Sequence, residues 1–163
     1  MGIEAFGVSM KLVDVLALDD VAHFLKEDAL FHWKKKERPT DGSYNKAYGE
    51  YCDGSHFIEF QILEKMDVDV CSFAIRFSLC SYDSIDPIFI NVVGELLSKF
   101  DADVWLFVSK TRKKSHYDPS ERGALLAALP QEIIEMRKYW QGMFGKTQGL
   151  VRPDESFRFV GIK

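Results

Sequence analysis

The stretch Val70–Val108, VCSFAIRFSLCSYDSIDPIFINVVGELLSKFDADVWLFV, decides the fold. Cys71, Phe73, Ile75, Phe77 and Leu79 alternate with Val70, Ser72, Ala74, Arg76 and Ser78, the period-two pattern of a half-buried strand. Asp86-Pro87 then offers a helix N-cap and a first helical residue. Beyond it Ile88, Phe89, Val92, Val93, Leu96, Leu97 and Phe100 recur at helical spacing, while Asn91, Glu95, Ser98 and Lys99 take the wet side. Val104-Trp105-Leu106-Phe107-Val108 closes the unit as a second apolar strand. The stretch is rich in folding information and carries no obvious catalytic group.

Upstream, Phe6, Val8, Met10 and Leu12 alternate with Gly7, Ser9 and Lys11, which predicts a strand over about residues 5–12. Asp19 or Asp20 caps a helix with Val21, Phe24 and Leu25 on one stripe, expected to run to Trp33 before Lys34-Lys35-Lys36-Glu37-Arg38-Pro39 ends it. Turn chemistry at Pro39–Ser43 leads to a strand over Tyr44–Tyr51, and Asp53-Gly54 reads as a hairpin turn. Ile58, Phe60 and Ile62 then oppose Phe57, Glu59 and Gln61 in a third strand.

Downstream, Lys110–His116 reads as a basic loop. Asp118-Pro119-Ser120-Glu121 is a capping box that opens a helix, and Pro130 is expected to break it. Ile133, Met136, Trp140, Met143 and Phe144 mark the next helix, and a short strand is expected over Phe157–Val160. The order is β-α-β-β-β-α-β-α-α, with that last strand added. It implies an α+β two-layer domain: a mainly antiparallel sheet of five or six strands and about four helices gathered on one side. No repeat, linker or low-complexity tract divides the chain, so residues 1–163 are expected to form one domain.

Composition narrows the function classes. The 163 residues carry a net charge of −4, which argues against wholesale coating of nucleic acid and fits a basic partner. Thirteen Phe point to a core built on aromatic area. Cys52, Cys71 and Cys80 show no CxxC spacing, as expected of reduced thiols, with Cys71 inside. No segment is long and apolar enough to cross a bilayer. Met1–Phe6 lacks the basic-then-apolar start of a signal peptide, and Phe6 stands where myristoylation wants Ser or Thr. The expected address is the cytoplasm.

Tests for chemistry give little. Gly142–Thr147 resembles the end of a phosphate-binding loop, but Trp140 occupies the place of its first glycine and a helix precedes it. A glycine C-cap is the better reading. His23 with Glu27 and Asp28 with His32 are i,i+4 pairs on opposite helix faces, and His56 and His116 lie elsewhere, so no metal site is expected. The members of a Ser-His-Asp triad lie far apart in a chain, so sequence leaves one open, but no Gly-x-Ser-x-Gly elbow is present. The protein is therefore not expected to be an enzyme or to hold a cofactor.

Two surfaces remain. Lys34–Arg38 beside Phe31 and Trp33, and Lys110–Lys114 beside Tyr117, could track phosphates if they converge, although solvated helix ends explain them more simply. The sheet face opposite the helices should expose Glu59, Gln61, Ser72, Ala74, Arg76 and Ser78, with Tyr44 or Tyr48 nearby. Small residues around a few charged and aromatic ones suit a shallow docking surface. Asp67, Asp69, Asp83, Asp86, Asp101 and Asp103 in nearby turns bias it towards a cationic partner.

In its acidic α+β character, its Ile75-Arg76-Phe77 strand and its Asp86–Phe100 helix feeding Val104–Val108, the chain resembles small cytosolic immunity proteins of bacterial toxin–immunity systems. That resemblance implies stoichiometric inhibition of a cognate toxin domain, such as a nuclease, without catalysis. The expected contact residues are Glu59, Gln61, Arg76, Asp67, Asp69, Tyr44 and Tyr48. The competing reading is a small nucleic-acid-binding protein or enzyme using the 110–117 loop, with Arg112, Lys113, Lys114, His116 and Tyr117.

Overall fold

Alternating apolar residues on successive strands need one buried face, and a single antiparallel sheet provides it. The computed structural model describes residues 4–14, 18–27, 31–37, 45–65, 70–108 and 113–162. The strands are β1 (Ala5–Leu12), β2 (Phe31–Glu37), β3 (Asn45–Cys52), β4 (Phe57–Lys65), β5 (Val70–Ser78), β6 (Ala102–Val108) and β7 (Lys113–Tyr117). They form one seven-stranded sheet in the order β2-β3-β4-β5-β1-β6-β7. Each neighbouring pair is antiparallel. The helices among the described residues are α1 (Leu18–Lys26), α2 (Ile85–Lys99), α3 (Arg122–Phe144) and α4 (Ser156–Phe159).

Register sorts the side chains. Phe6 faces Phe77, Val8 faces Ile75 and Met10 faces Phe73, while Ile75 and Phe73 also meet Phe60 and Ile62 of β4. All of these are buried, and the helices lie on them. Phe89 of α2 packs edge-on against Phe6 and Phe77, with centroids 5.8 and 4.9 Å away. Phe24 of α1 meets Phe100 at 5.3 Å, and α3 runs against α2. The fold is thus α+β, with a helical layer on one face of the sheet. Burial pushes the Cys71 thiol up to about 12, with the Glu64 carboxylate adding to the rise, and this leaves it an inert core group. Gly49 is required by packing: a Cβ there would lie 2.5 Å from the Phe31 ring, which crosses it to reach Phe60.

Several expectations are corrected. Helix α1 ends at Lys26, and the segment expected to continue it is edge strand β2. The second half of the basic loop is edge strand β7, its backbone satisfied by β6. Charged residues on both edges follow the rule that exposed edges are kept from pairing with other chains. The sheet therefore has seven strands, not five or six.

Pro130 does not break the helix, because α3 runs unbroken from Arg122 to Phe144. Pro130 itself is exposed, while Leu125, Leu129, Ile133, Met136 and Trp140 stay buried on either side of it. Their burial outweighs the cost of one lost hydrogen bond. Residues 157–160 are not a strand: they fall in α4 and the turn after it. Helix α2 starts at Ile85 with Ser84 at its N-cap, so Asp86 and Pro87 lie inside the first turn. The capping box at Asp118 and Glu121 forms as expected, and Gly145 ends α3 with φ +83°.

Candidate functional site

The face of the sheet away from α1, α2 and α3 is largely uncovered. Register places Tyr48, Gln61, Ala74, Ser9, Trp105 and His116 side by side, one each from β3, β4, β5, β1, β6 and β7. A neighbouring row holds Glu50, Glu59, Arg76 and Gly7. A depression of about 540 Å³ opens on this face. Ser9, Tyr48, Glu59, Gln61, Ala74 and Arg76 line it, and Asp154 forms a wall.

Its polar groups hold one another in place. Arg76 Nε donates to Glu59 Oε2 at 2.8 Å, and Arg76 Nη1 lies 4.0 Å from Glu4 Oε1. Gln61 Nε2 donates to the Tyr48 hydroxyl at 3.5 Å. Towards β7 the His116 ring lies 5.0 Å from Trp105, and His116 Nε2 is 2.8 Å from Asp103 Oδ1. The result is a floor of small side chains between a fixed guanidinium–carboxylate pair and a half-buried indole. Such a surface can bury area and offer aligned hydrogen bonds.

The C-terminal segment wraps round one end of the sheet and partly covers this face. Arg152 Nε donates to Glu50 Oε2 at 3.2 Å, and its guanidinium stacks 4.2 Å above the Phe57 ring. The hydrogen bond to Glu50 raises the Arg152 pKa against the opposing effect of burial, and the Glu50 and Glu155 charges add to the rise. Ser78 Oγ and Ser156 Oγ meet at 2.7 Å. Ser78, expected to be exposed, is therefore buried beneath α4.

Of the residues expected to make contact, Tyr48, Glu59, Gln61 and Arg76 come together in the depression. Tyr44, Asp67 and Asp69 lie outside the described residues, as do Lys110 and Arg112 of the competing reading. Sequence reading missed Trp105 and Asp154 and assigned His116 to a loop. Trp105 was hidden because every residue of Val104–Val108 is apolar. The inward burial of Ala102, Val104 and Leu106 is what sends Trp105 to the open face.

A second cluster sits where the β3–β4 turn meets the start of α2. Asp53 Oδ2 lies 2.8 Å from His56 Nδ1, and His56 Nε2 lies 2.7 Å from Ser84 Oγ. Among the described residues, no three His, Cys, Asp or Glu groups are placed to hold a metal ion. No described helix is long and apolar enough to cross a membrane. No protein-family model matches the chain, and no curated protein matches its sequence.

Proposed function

We propose that the protein is a protein-binding module, an immunity protein that binds and neutralises a cognate bacterial toxin domain through the open face of its sheet. The observation that carries this reading is the uncovered row Tyr48–Gln61–Ala74–Ser9–Trp105–His116, with its depression beside the Arg76–Glu59 pair. Uncovered antiparallel faces are ordinary when they are polar throughout. This one sets an indole and a phenol among small residues, the composition of an interface centre. Glu59, Glu4, Asp154 and Asp103 around it favour a cationic partner and would speed encounter.

The test is co-expression with the product of the adjacent upstream gene, the expected toxin. The wild-type chain should restore growth and co-purify one to one with the toxin. Tyr48→Ala with Trp105→Ala should lose both properties while melting as a folded protein. Absence of any complex, or a complex indifferent to these substitutions, would overturn the reading. Retention by RNA or DNA that falls when Lys113 and Lys114 become Glu would instead support the competing use of β7.

A further inference from the structure

We propose that Ser84 is an activated nucleophile that takes the acyl group from carboxylic esters, with His56 as its base and Asp53 orienting that base. The site is separate from the open face and shares no residue with it.

The Asp53 carboxylate sets the direction of the hydrogen bonds for a neutral His56 ring. Asp53 Oδ1 accepts from the backbone N–H of Ser55 at 2.9 Å and of His56 at 2.8 Å, which locks the carboxylate at the hairpin tip. Its other oxygen faces His56 Nδ1 at 2.8 Å, and a carboxylate accepts only from a protonated nitrogen. In the neutral ring the proton therefore sits on Nδ1, and Nε2 presents its lone pair to the Ser84 hydroxyl at 2.7 Å. This is the polarity that serine activation requires: hydroxyl to imidazole, imidazole to carboxylate.

Helix capping does not account for Ser84. A serine at the N-cap ordinarily accepts from the second or third helical N–H. Here the third residue is Pro87, which has no N–H, and the Asp86 N–H donates to the Asp83 carbonyl at 3.1 Å. The Ser84 side chain makes no capping bond and turns to His56 instead. Its exposure suits the role: the His56 and Asp53 side chains are 11% and 22% accessible, while Ser84 is exposed and open to substrate.

In the step, Ser84 Oγ adds to the ester carbonyl carbon as Nε2 takes the hydroxyl proton. The C–O bond to the alcohol breaks, the imidazolium gives its proton to the departing alkoxide, and acyl-Ser84 remains. Water then adds to the acyl carbon, passing its proton through Nε2 to Ser84 Oγ, and the carboxylic acid leaves. The Ser84 backbone N–H, which donates to no backbone acceptor among the described residues, would serve the developing oxyanion as its one donor. A single donor makes turnover slow, so acylation is the step to read. The neighbouring Asp83, 65% accessible, disfavours anionic esters.

The experiment exposes the full chain to a fluorophosphonate probe, with intact mass and peptide mapping as readout. One adduct on Ser84 is expected, with none in Ser84→Ala. Labelling should slow by about 100-fold or more in His56→Gln and Asp53→Asn, the usual worth of a positioned base. Wild-type protein unfolded in urea should not label, a control independent of how well the variants fold. No adduct on the folded wild type, an adduct on another serine, labelling that survives unfolding, or an unchanged rate in a folded His56→Gln would each overturn the proposal.

Discussion

Partial burial draws the Asp53 carboxyl upward, yet hydrogen bonds from the His56 ring and from the Ser55 and His56 N–H groups outweigh it and hold the group below its ordinary 3.8. A carboxyl lowered in the folded state stabilises the fold above its unfolded value, and that stability disappears as pH falls through the folded value. Asp53 also ties the β3–β4 turn to α2 through His56 and Ser84. Asp53→Asn should therefore melt below the wild type near neutral pH, and the gap should narrow as pH drops below about 4. Thermal melts of the two proteins across that range read this directly. A gap that stays constant into strong acid would show that the carboxylate charge contributes nothing. The sequence marks Asp53 as a turn residue but does not show its meeting, through His56, with Ser84. The partners in that last contact lie 28 residues apart, and only the docking of α2 on the sheet joins them.

Helix α2 was legible because its stripe is long and repetitive, and β5 because its alternation is strict; β5 lies where it was read, and α2 differs only in beginning earlier, at Ile85. Elements at the sheet edges were not. In Phe31–Glu37 and Lys113–Tyr117 charged side chains replace the period-two pattern, since an edge strand buries little and is held by its ladder to a neighbour. Pro130 misled in the opposite direction: local chemistry says stop, but the apolar stripe on either side carries α3 through. That helix is also pinned by charge. Arg137, only 7% accessible, donates to both oxygens of Asp86 in the first turn of α2 at 2.7 and 2.9 Å. It also reaches Asp83 at 3.0 Å and lies over the Phe77 ring. Removing one partner strands a half-buried charge, so Arg137→Ala and Asp86→Ala should each destabilise more than a surface change. In a double-mutant cycle followed by urea unfolding, the two should couple by about 1–3 kcal/mol. Additive losses would mean that the α2–α3 contact is held by apolar packing alone.

At the level of the whole molecule, helices cover one face of the sheet and leave the other largely open. The helical side of the sheet was readable from alternation alone, because burial writes itself as periodicity. The open side was readable only in part: Glu59, Gln61 and Arg76 follow from the same alternation, whereas their alignment with Tyr48 and Trp105 depends on strand order. That order inserts β1 between β5 and β6, a long-range pairing that no local pattern encodes. The division makes a prediction that separates folding from docking. Phe77 is fully buried against Phe6, Phe89 and Arg137. Phe77→Ala should therefore cost about 3–5 kcal/mol by urea unfolding. Trp105→Ala, on a half-buried ring whose aromatic contact is His116, should cost less, about 1–2 kcal/mol. Titration of the toxin domain into each variant by calorimetry, at a temperature where Phe77→Ala stays folded, should give the reverse ranking. Binding should survive Phe77→Ala and fail in Trp105→Ala. If Trp105→Ala instead unfolds the protein, or leaves toxin affinity untouched, the open face is part of the core's support and not the place where a partner docks.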